Sequence, residues 1–264
     1  MLRQRRPSVL TIAGSDSGGC AGIQADLETI AAFGLHGLSV ITAVTAQNSR
    51  RVESIHPVPA REVAAQLDTV FDDFDIAAVK VGMVGRPAAI EVIGAALRAH
   101  RPRPTVIDPV LVSTSGTALL SARALKQARR QLFPLADLLT PNVPEAEALL
   151  GRPIRRDADL VPAARDLLED GARAVLLKGG HLRGRVVRDV LVDAKSVHEF
   201  SHARLPFRVR GTGCTLASAI ACGLARGRGM RAAVHDAEVF LQTAMRRAYR
   251  PARGAQRALE HRRR

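Results

Sequence analysis

The 264-residue sequence contains no tryptophan, one tyrosine and seven phenylalanines. A dedicated nucleic-acid binder more often interleaves aromatic residues with a basic face, so this scarcity argues against that role despite a net charge of +14. Arg3, Arg5 and Arg6, with the eight arginines from Arg246 to Arg264 set against Glu260, carry ten of those fourteen charges. The body keeps only a modest excess, and the termini read as solvated basic segments without a specific nucleic-acid partner. Lysine is scarce too: Lys80, Lys126, Lys178 and Lys195 are the only four. A compact ammonium at a motif position in such an arginine-biased chain is therefore informative. Cysteine is limited to Cys20, Cys214 and Cys222, an odd set without zinc spacing. No apolar run approaches the ~20 residues that a bilayer requires, and Val9–Ala13 is too short for a signal segment. These absences point to a reducing cytoplasm and no membrane partner. Hydrophobic residues still make up 47% of the chain, enough for a large core without staples.

Short β-branched runs alternate with amphipathic stretches. The runs at Val9–Ala13, Leu38–Ala46, Ala77–Val81, Thr105–Ile107, Leu135–Leu139 and Ala174–Lys178 predict strands, followed by a hairpin around Val186–Val192 and Val197–Phe200. Helical periods fill Gly22–Phe33, Ala60–Phe71, Pro87–Ala99, Ala122–Gln131, Pro144–Leu150, Leu160–Glu169, Gly213–Arg226 and Met230–Tyr249. Strands separated by helices of this length imply βαβ units, hence an α/β fold with a doubly wound, mostly parallel central sheet flanked by helices. No linker or repeat divides the chain, so a single domain over residues 1–250 is expected. Residues 251–264 would form a disordered basic tail. The polar stretch Gln47–Pro59 is a candidate small flap.

Five segments carry chemistry, each at a predicted strand end or helix start. Gly211-Thr212-Gly213-Cys214-Thr215 opens an apolar helix, where two glycines let backbone N–H groups approach an anion such as a nucleotide phosphate. Cys214 in that first turn would have its thiolate favoured by the positive helix end, unless it is simply a buried cysteine. The block Ala13–Leu27 follows the first strand and lacks the dinucleotide spacing. Asp26 within it could accept from a substrate hydroxyl or amine, or merely complement the helix dipole. Thr140-Pro141-Asn142-Val143-Pro144-Glu145 could hold a hydrated cation through Asn142 and Glu145, or could be an ordinary capping box. Lys178-Gly179-Gly180-His181 sets an ammonium beside an approachable backbone, and Asp108-Pro109-Val110 places an acid at another strand end.

These residues resemble the hydroxymethylpyrimidine/phosphomethylpyrimidine kinases of the ribokinase-like superfamily. The resemblance runs from about Val9 to Arg250. Its most specific pieces are Gly14–Leu27, Ser39–Asn48, Lys80-Val81-Gly82-Met83, Thr140–Glu147, Lys178–His181 and Gly211–Thr215. It implies ATP-dependent phosphorylation of a hydroxymethylpyrimidine, its monophosphate or both in thiamine biosynthesis, with Mg²⁺, by a homodimer of the kind that relatives commonly form. Cys214 would deprotonate the attacking oxygen, with the Gly211 and Gly213 amides as anion hole. Gln47 and Thr45 would read the aminopyrimidine edge, Asp26 would hold the hydroxymethyl group, and Met83, Val110 and Ala21 would wall the ring. Lys178, Thr212 and Asn142 would meet the nucleotide, with Glu145, Asn142 and Asp108 holding the metal through water. The sequence departs from the family pattern at Cys20, where glycine is usual, at Arg210, where histidine is usual, and over Pro251–Arg264. A pyridoxal or pyridoxine kinase is the nearest alternative, and a non-catalytic pyrimidine-binding regulator is the other.

Overall fold

The computed structural model describes residues 6–102, 104–112, 116, 119–254 and 256–262. Its elements follow in the order β1 (Ser8–Asp16), α1 (Gly22–Ala32), β2 (His36–Gln47), β3 (Val52–Pro57), α2 (Ala60–Asp73), β4 (Ile76–Val81), α3 (Pro87–His100), β5 (Thr105–Ile107) and α4 (Ala122–Gln131). Then come β6 (Leu138–Leu139), α5 (Val143–Leu150), α6 (Leu160–Leu168), β7 (Ala174–Lys178), β8 (Val186–Asp193), β9 (Val197–Ala203), α7 (Thr212–Ala225) and α8 (Met230–Arg246). The strands form one nine-stranded sheet in the order β3-β2-β1-β4-β5-β6-β7-β8-β9. The six strands from β2 to β7 in that order are parallel, and β3, β8 and β9 are antiparallel additions at the edges.

The sheet is apolar on both faces because helices cover both, as the continuous apolar strands require. Along β1, Leu10 and Ile12 pack with Val63 of α2, Ile90 of α3 and Leu167 of α6 on one side. Val9 packs with Ile30 of α1, Ile220 of α7 and Leu241 of α8 on the other. This is the doubly wound α/β architecture expected from the alternation of strands and helices.

Three local expectations need correction. The segment Gln47–Pro59 includes a regular strand, because β3 pairs with β2 from Ala43↔Pro57 to Gln47↔Val52. Strand β6 is shorter than the apolar run suggested, since Pro134 favours a 3₁₀ turn at Phe133–Leu135. The basic stretch after Pro251 is not uniformly a solvated tail. Arg257 bridges to Val209 and Ala258 to Tyr249, while Ala258, Leu259 and His261 are buried. Leu259 joins the apolar cluster of α7 and α8, and His261 Nε2 lies 2.9 Å from Thr215 Oγ1 of α7. Counting charges concealed these small apolar anchors between the arginines.

One ion pair crosses the centre of the molecule. Lys80 Nζ on β4 donates to both carboxylate oxygens of Asp26 on α1, at 3.0 and 2.8 Å. Both side chains have 0% exposure. Thr11 of β1 and Ser218 of α7 donate to the same carboxylate at 2.6 and 2.8 Å. Burial alone would lower the Lys80 pKa, but Asp26, with Cys214 and Asp108 beyond it, raises it overall. Gly82 is required here: a Cβ at that position would stand 2.6 Å from Lys80 Nζ. Removing one partner leaves the other charged and stranded, so Lys80→Met should lower the unfolding free energy by about 3–5 kcal/mol. Urea denaturation measures this, and a loss below about 1 kcal/mol, the range of an exposed pair, would mean that the pair does not matter to the fold.

Candidate functional site

The parallel strands end at one level, which places the motif residues on a common rim. Val81 pairs with Ile12 and Ile107, and Ile107 pairs with Leu139. The next residues in each strand are Ala13, Gly82, Asp108 and Thr140. Asp16 and Thr45 are register partners on β1 and β2. An isolated bridge joins Asn142 to Lys178 beyond the end of β6. Strand carboxyl ends are where open α/β sheets build ligand sites.

The loop after β1 is organised by Asp16, which the sequence analysis quoted without assigning it a task. Its Oδ1 accepts from the Gly18 N–H at 2.8 Å, and Oδ2 accepts from the N–H groups of Cys20 and Ala21 at 3.2 and 3.0 Å. An acid two to five residues before unpaired N–H groups is a readable turn signal. Arg210 stands against this loop. It is buried, its guanidinium lies 3.8 Å from Asp16 Oδ2, and it donates to the Asn48 carbonyl. The departure at position 210 thus ties the approach to α7 to the ends of β1 and β2. Cys20 faces inward, with its thiol pKa raised by burial, opposed by Arg210.

The start of α7 docks directly under that loop. Gly211 has φ +75°, and a Cβ there would meet the Cys20 carbonyl oxygen at 1.9 Å. No side chain fits. Gly213 in the first turn faces the end of the sheet: a Cβ on it would lie 3.3 Å from Lys178 Nζ and 3.4 Å from Asp108 Oδ2. Lys178 Nζ donates to Asp108 Oδ1 at 2.9 Å, and Thr140 Oγ1 donates to the same oxygen at 3.0 Å. Burial opposes the charge on Lys178, but Asp108 and Glu145 raise its pKa. The adjoining loop is held by Arg204, which donates to the carbonyls of Gly180, Leu182 and Gly184.

Asn142 and Glu145 form the capping box of α5. Asn142 Oδ1 accepts from the Glu145 N–H at 3.0 Å, and Glu145 Oε2 accepts from the Asn142 N–H at 2.8 Å. The capping-box reading is thus realised, and both side chains keep polar capacity beyond it: the Asn142 NH₂ group suits a phosphate or water oxygen. Glu145 fits a cation better. Burial pushes its carboxyl up to about 7, with Lys178 opposing and Asp108 adding to the rise. Asp108 Oδ2 has no hydrogen-bond donor among the described residues.

Asp26 does not reach the rim. Its carboxylate is consumed by Lys80, Thr11 and Ser218, so the expected contact with a substrate hydroxymethyl group has no free atom to make it. The ring-contact candidates lie at the end of β2 and in the segments that follow β1, β4 and β5. Met83 is buried, and its sulfur lies 3.1 Å from where a Cβ on Gly14 would be. Thr45 donates to the Ser15 carbonyl at 3.0 Å. Ala21 caps α1 and Val110 is half-buried after β5. The Gln47 backbone exchanges hydrogen bonds with Ser17 Oγ, and its side-chain amide has no partner among the described residues.

Cys214 contradicts the expectation of a low-pKa thiol. Its pKa is pushed up to about 11, burial being the main cause. Lys80 and a hydrogen bond from the Gly22 N–H act in the opposite sense, against Asp26 and Asp108. Cys214 is half-buried, and the two carboxylates nearby oppose the helix end.

These shifts have measurable consequences. Iodoacetamide reacts with the thiolate, so Cys214 should alkylate with a midpoint near pH 11 rather than 9. A midpoint at or below 8 would contradict this electrostatic account. For Glu145 the folded pKa is raised, so its stabilising contribution is present below pH 4.5 and is lost as pH rises through about 7. Glu145→Gln should match the parent in thermal stability near pH 4.5 and exceed it increasingly up to pH 7. Scanning calorimetry across that range tests the sign.

The family model described as phosphomethylpyrimidine kinase matches residues 16–258. A hydroxymethylpyrimidine/phosphomethylpyrimidine kinase of Rhizobium meliloti is 47% identical over 243 residues, 91% of each chain. A thiamine biosynthesis bifunctional protein of Geobacter sulfurreducens is 48% identical over 250 residues, which are 94% of this chain and 51% of that one. The chain therefore spans about half of that bifunctional relative. Among solved structures, an ADP complex of Bacillus subtilis pyridoxal kinase superposes with a TM-score of 0.90 at 30% identity, covering 97% of both chains. A phosphomethylpyrimidine kinase from Clostridium difficile gives a TM-score of 0.82 at 40% identity, covering 91% of this chain and all of that one.

Proposed function

The chain belongs to the phosphomethylpyrimidine kinase family, and on that premise we propose that its rim site transfers the γ-phosphoryl group of ATP to hydroxymethylpyrimidine, to its monophosphate, or to both, in thiamine biosynthesis. The observation that carries this reading is the convergence at Gly213. The first turn of α7, the Lys178 ammonium and the Asp108 carboxylate meet there within contact distance. A phosphoryl group in flight needs positioning and charge stabilisation more than covalent help. The N–H groups from Gly211 to Cys214 and the Lys178 ammonium supply positive potential at one spot. The free NH₂ of Asn142 is a further donor on the same rim.

Mg²⁺ would neutralise charge on the nucleotide phosphates. Asp108 Oδ2 and Glu145 are the acids suited to hold it, largely through water, as this ion keeps much of its hydration. The Glu145 carboxyl is raised first by burial and further by Asp108, and a cation there would favour its ionised form. Met83, Val110, Ala21 and Gly14 would bound a flat heteroaromatic ring, and the unpartnered Gln47 amide would read its aminopyrimidine edge. The thiolate form of Cys214 would receive the proton of the attacking hydroxyl. That form is a minority species near neutral pH. In a loose transition state the hydroxyl proton leaves late, so little base strength is asked of it beforehand.

The pyridoxal kinase reading rests on the Bacillus subtilis structure and is a question of specificity within the same pocket, where one ring substituent counts for about 1–3 kcal/mol. We further place the protein in the cytoplasm as a homodimer. Its three cysteines are free thiols, and no described helix is long and apolar enough to cross a membrane.

The decisive experiment measures ATP-coupled turnover on hydroxymethylpyrimidine, its monophosphate and pyridoxal, with Cys214→Ala in parallel. Turnover on either pyrimidine, reduced about 10²–10⁴-fold in the variant, is the expected outcome for a general base. Activity on pyridoxal alone would transfer the chain to the sister specificity. Pyrimidine binding without any turnover would leave a regulatory binding module.

A further inference from the structure

A second cluster of ligating side chains lies outside the rim site. Asp189 projects from β8, His202 from β9 and Glu238 from α8, and one ligand atom from each lies within 4.8 Å of the others. Asp189 pairs with Phe200 and His202 with Val187. The two residues are therefore diagonal neighbours on one face of the β8–β9 ladder, the face that α8 covers.

Each side chain is arranged as a metal ligand would be. His202 Nδ1 lies 3.2 Å from the Ala203 carbonyl oxygen. If that nitrogen carries the proton, the Nε2 lone pair points toward Glu238 Oε2, 4.0 Å away. A backbone carbonyl behind one ring nitrogen is the usual support for a histidine that ligates through the other. Asp189 Oδ1 accepts the Gly179 N–H at 2.8 Å, which orients the carboxylate and leaves its second oxygen for a ligand. Glu238 supplies the independent sign of a missing partner. Its side chain is only 8% exposed, and no described donor group reaches either carboxylate oxygen, which leaves the Asp189 carboxyl as the group it faces. Two buried carboxylates that face each other need a compensating cation or a shared proton. The ammonium nearest to hand, Lys178, is already paired with Asp108 at 2.9 Å. Burial and Asp189 accordingly hold the Glu238 carboxyl well above the usual carboxylate range.

We propose that Asp189, His202 and Glu238 form a binding site for a divalent first-row transition cation, with Zn²⁺ favoured over Mg²⁺. One imidazole with two carboxylates is a donor set for Zn²⁺ and its neighbours in the series, whereas Mg²⁺ prefers oxygen alone and an octahedral shell. Three protein ligands leave a fourth position for water. His202, at 20% side-chain exposure, opens that side to solvent. The site joins β8, β9 and α8 and reaches Gly179, the residue after Lys178. The competing occupant is a proton shared between Asp189 and Glu238, which would satisfy the pair without any metal.

Cobalt titration of the full chain after chelator treatment separates the two. Co²⁺ should bind one equivalent with visible d–d bands, lack a thiolate charge-transfer band, be displaced by Zn²⁺ and resist excess Mg²⁺. His202→Ala, at a partly exposed edge position, should weaken binding at least about tenfold, as loss of even a supporting residue does. Glu238→Gln should do the same while raising the metal-free melting temperature, because it removes the uncompensated carboxylate. A Zn²⁺-dependent rise in melting temperature should accompany binding in the parent and vanish in both variants. The proposal is overturned by an absence of saturable Co²⁺ binding, which would leave the shared proton. It is equally overturned by a charge-transfer band that assigns the ion to a cysteine, by unchanged affinity in both variants, or by equal competition from Mg²⁺.

Discussion

The Asp26–Lys80 pair is the constraint on which the rest of the architecture depends. It fastens α1 to β4 while Thr11 and Ser218 bring β1 and α7 to the same carboxylate. Those four elements carry the loop after β1, the centre of the sheet and the helix that bears Cys214. A buried pair of this kind is weak evidence for added stability, since its desolvation offsets much of its attraction. Its value lies in geometry, because a single carboxylate on α1 gathers side chains from β1, β4 and α7. It also sets the potential at the site: Lys80 acts on the Cys214 sulfur from below while Asp26 acts against it.

The rim site is a balance of charges that are individually unfavourable. Lys178 is buried and stays protonated through Asp108 and Glu145. Glu145 is buried beside another acid and holds its proton to about pH 7. Cys214 is a thiol for the same reasons. Such a site is held ready for more charge than it contains. A polyphosphate with its counter-ion alters each of these balances at once, and the backbone N–H groups at α7 need no rearrangement to meet it.

Much of the fold was legible because the alternation of apolar runs and helical periods survives at almost every element. It failed where the signal was local and weak. β3 is a half-exposed edge strand whose alternation is broken by polar residues. The anchor at Ala258, Leu259 and His261 is embedded among arginines, where composition outweighs three buried positions. Of the site, the glycine-rich turn before α7 could be read directly, because close backbone approach explains Gly211. Asp26 was misplaced: a carboxylate one turn into a helix gives no sign of whether it looks to solvent or to a lysine 54 residues away. Asp16 and Arg210 went unassigned because their partners are a turn and a strand end that exist only once the chain has closed.

The contact between His261 and Thr215 brings one further consequence. The helix start that holds Cys214 rests on the loop after β1 at one side and on residues near 260 at the other. Its shape therefore depends on pieces of chain separated by almost the whole length of the protein. A fragment clipped by a protease near either end would lose one of those two supports. Catalytic competence and covalent intactness are thereby coupled, and partial breakdown products would be silent rather than defective enzymes that go on consuming ATP.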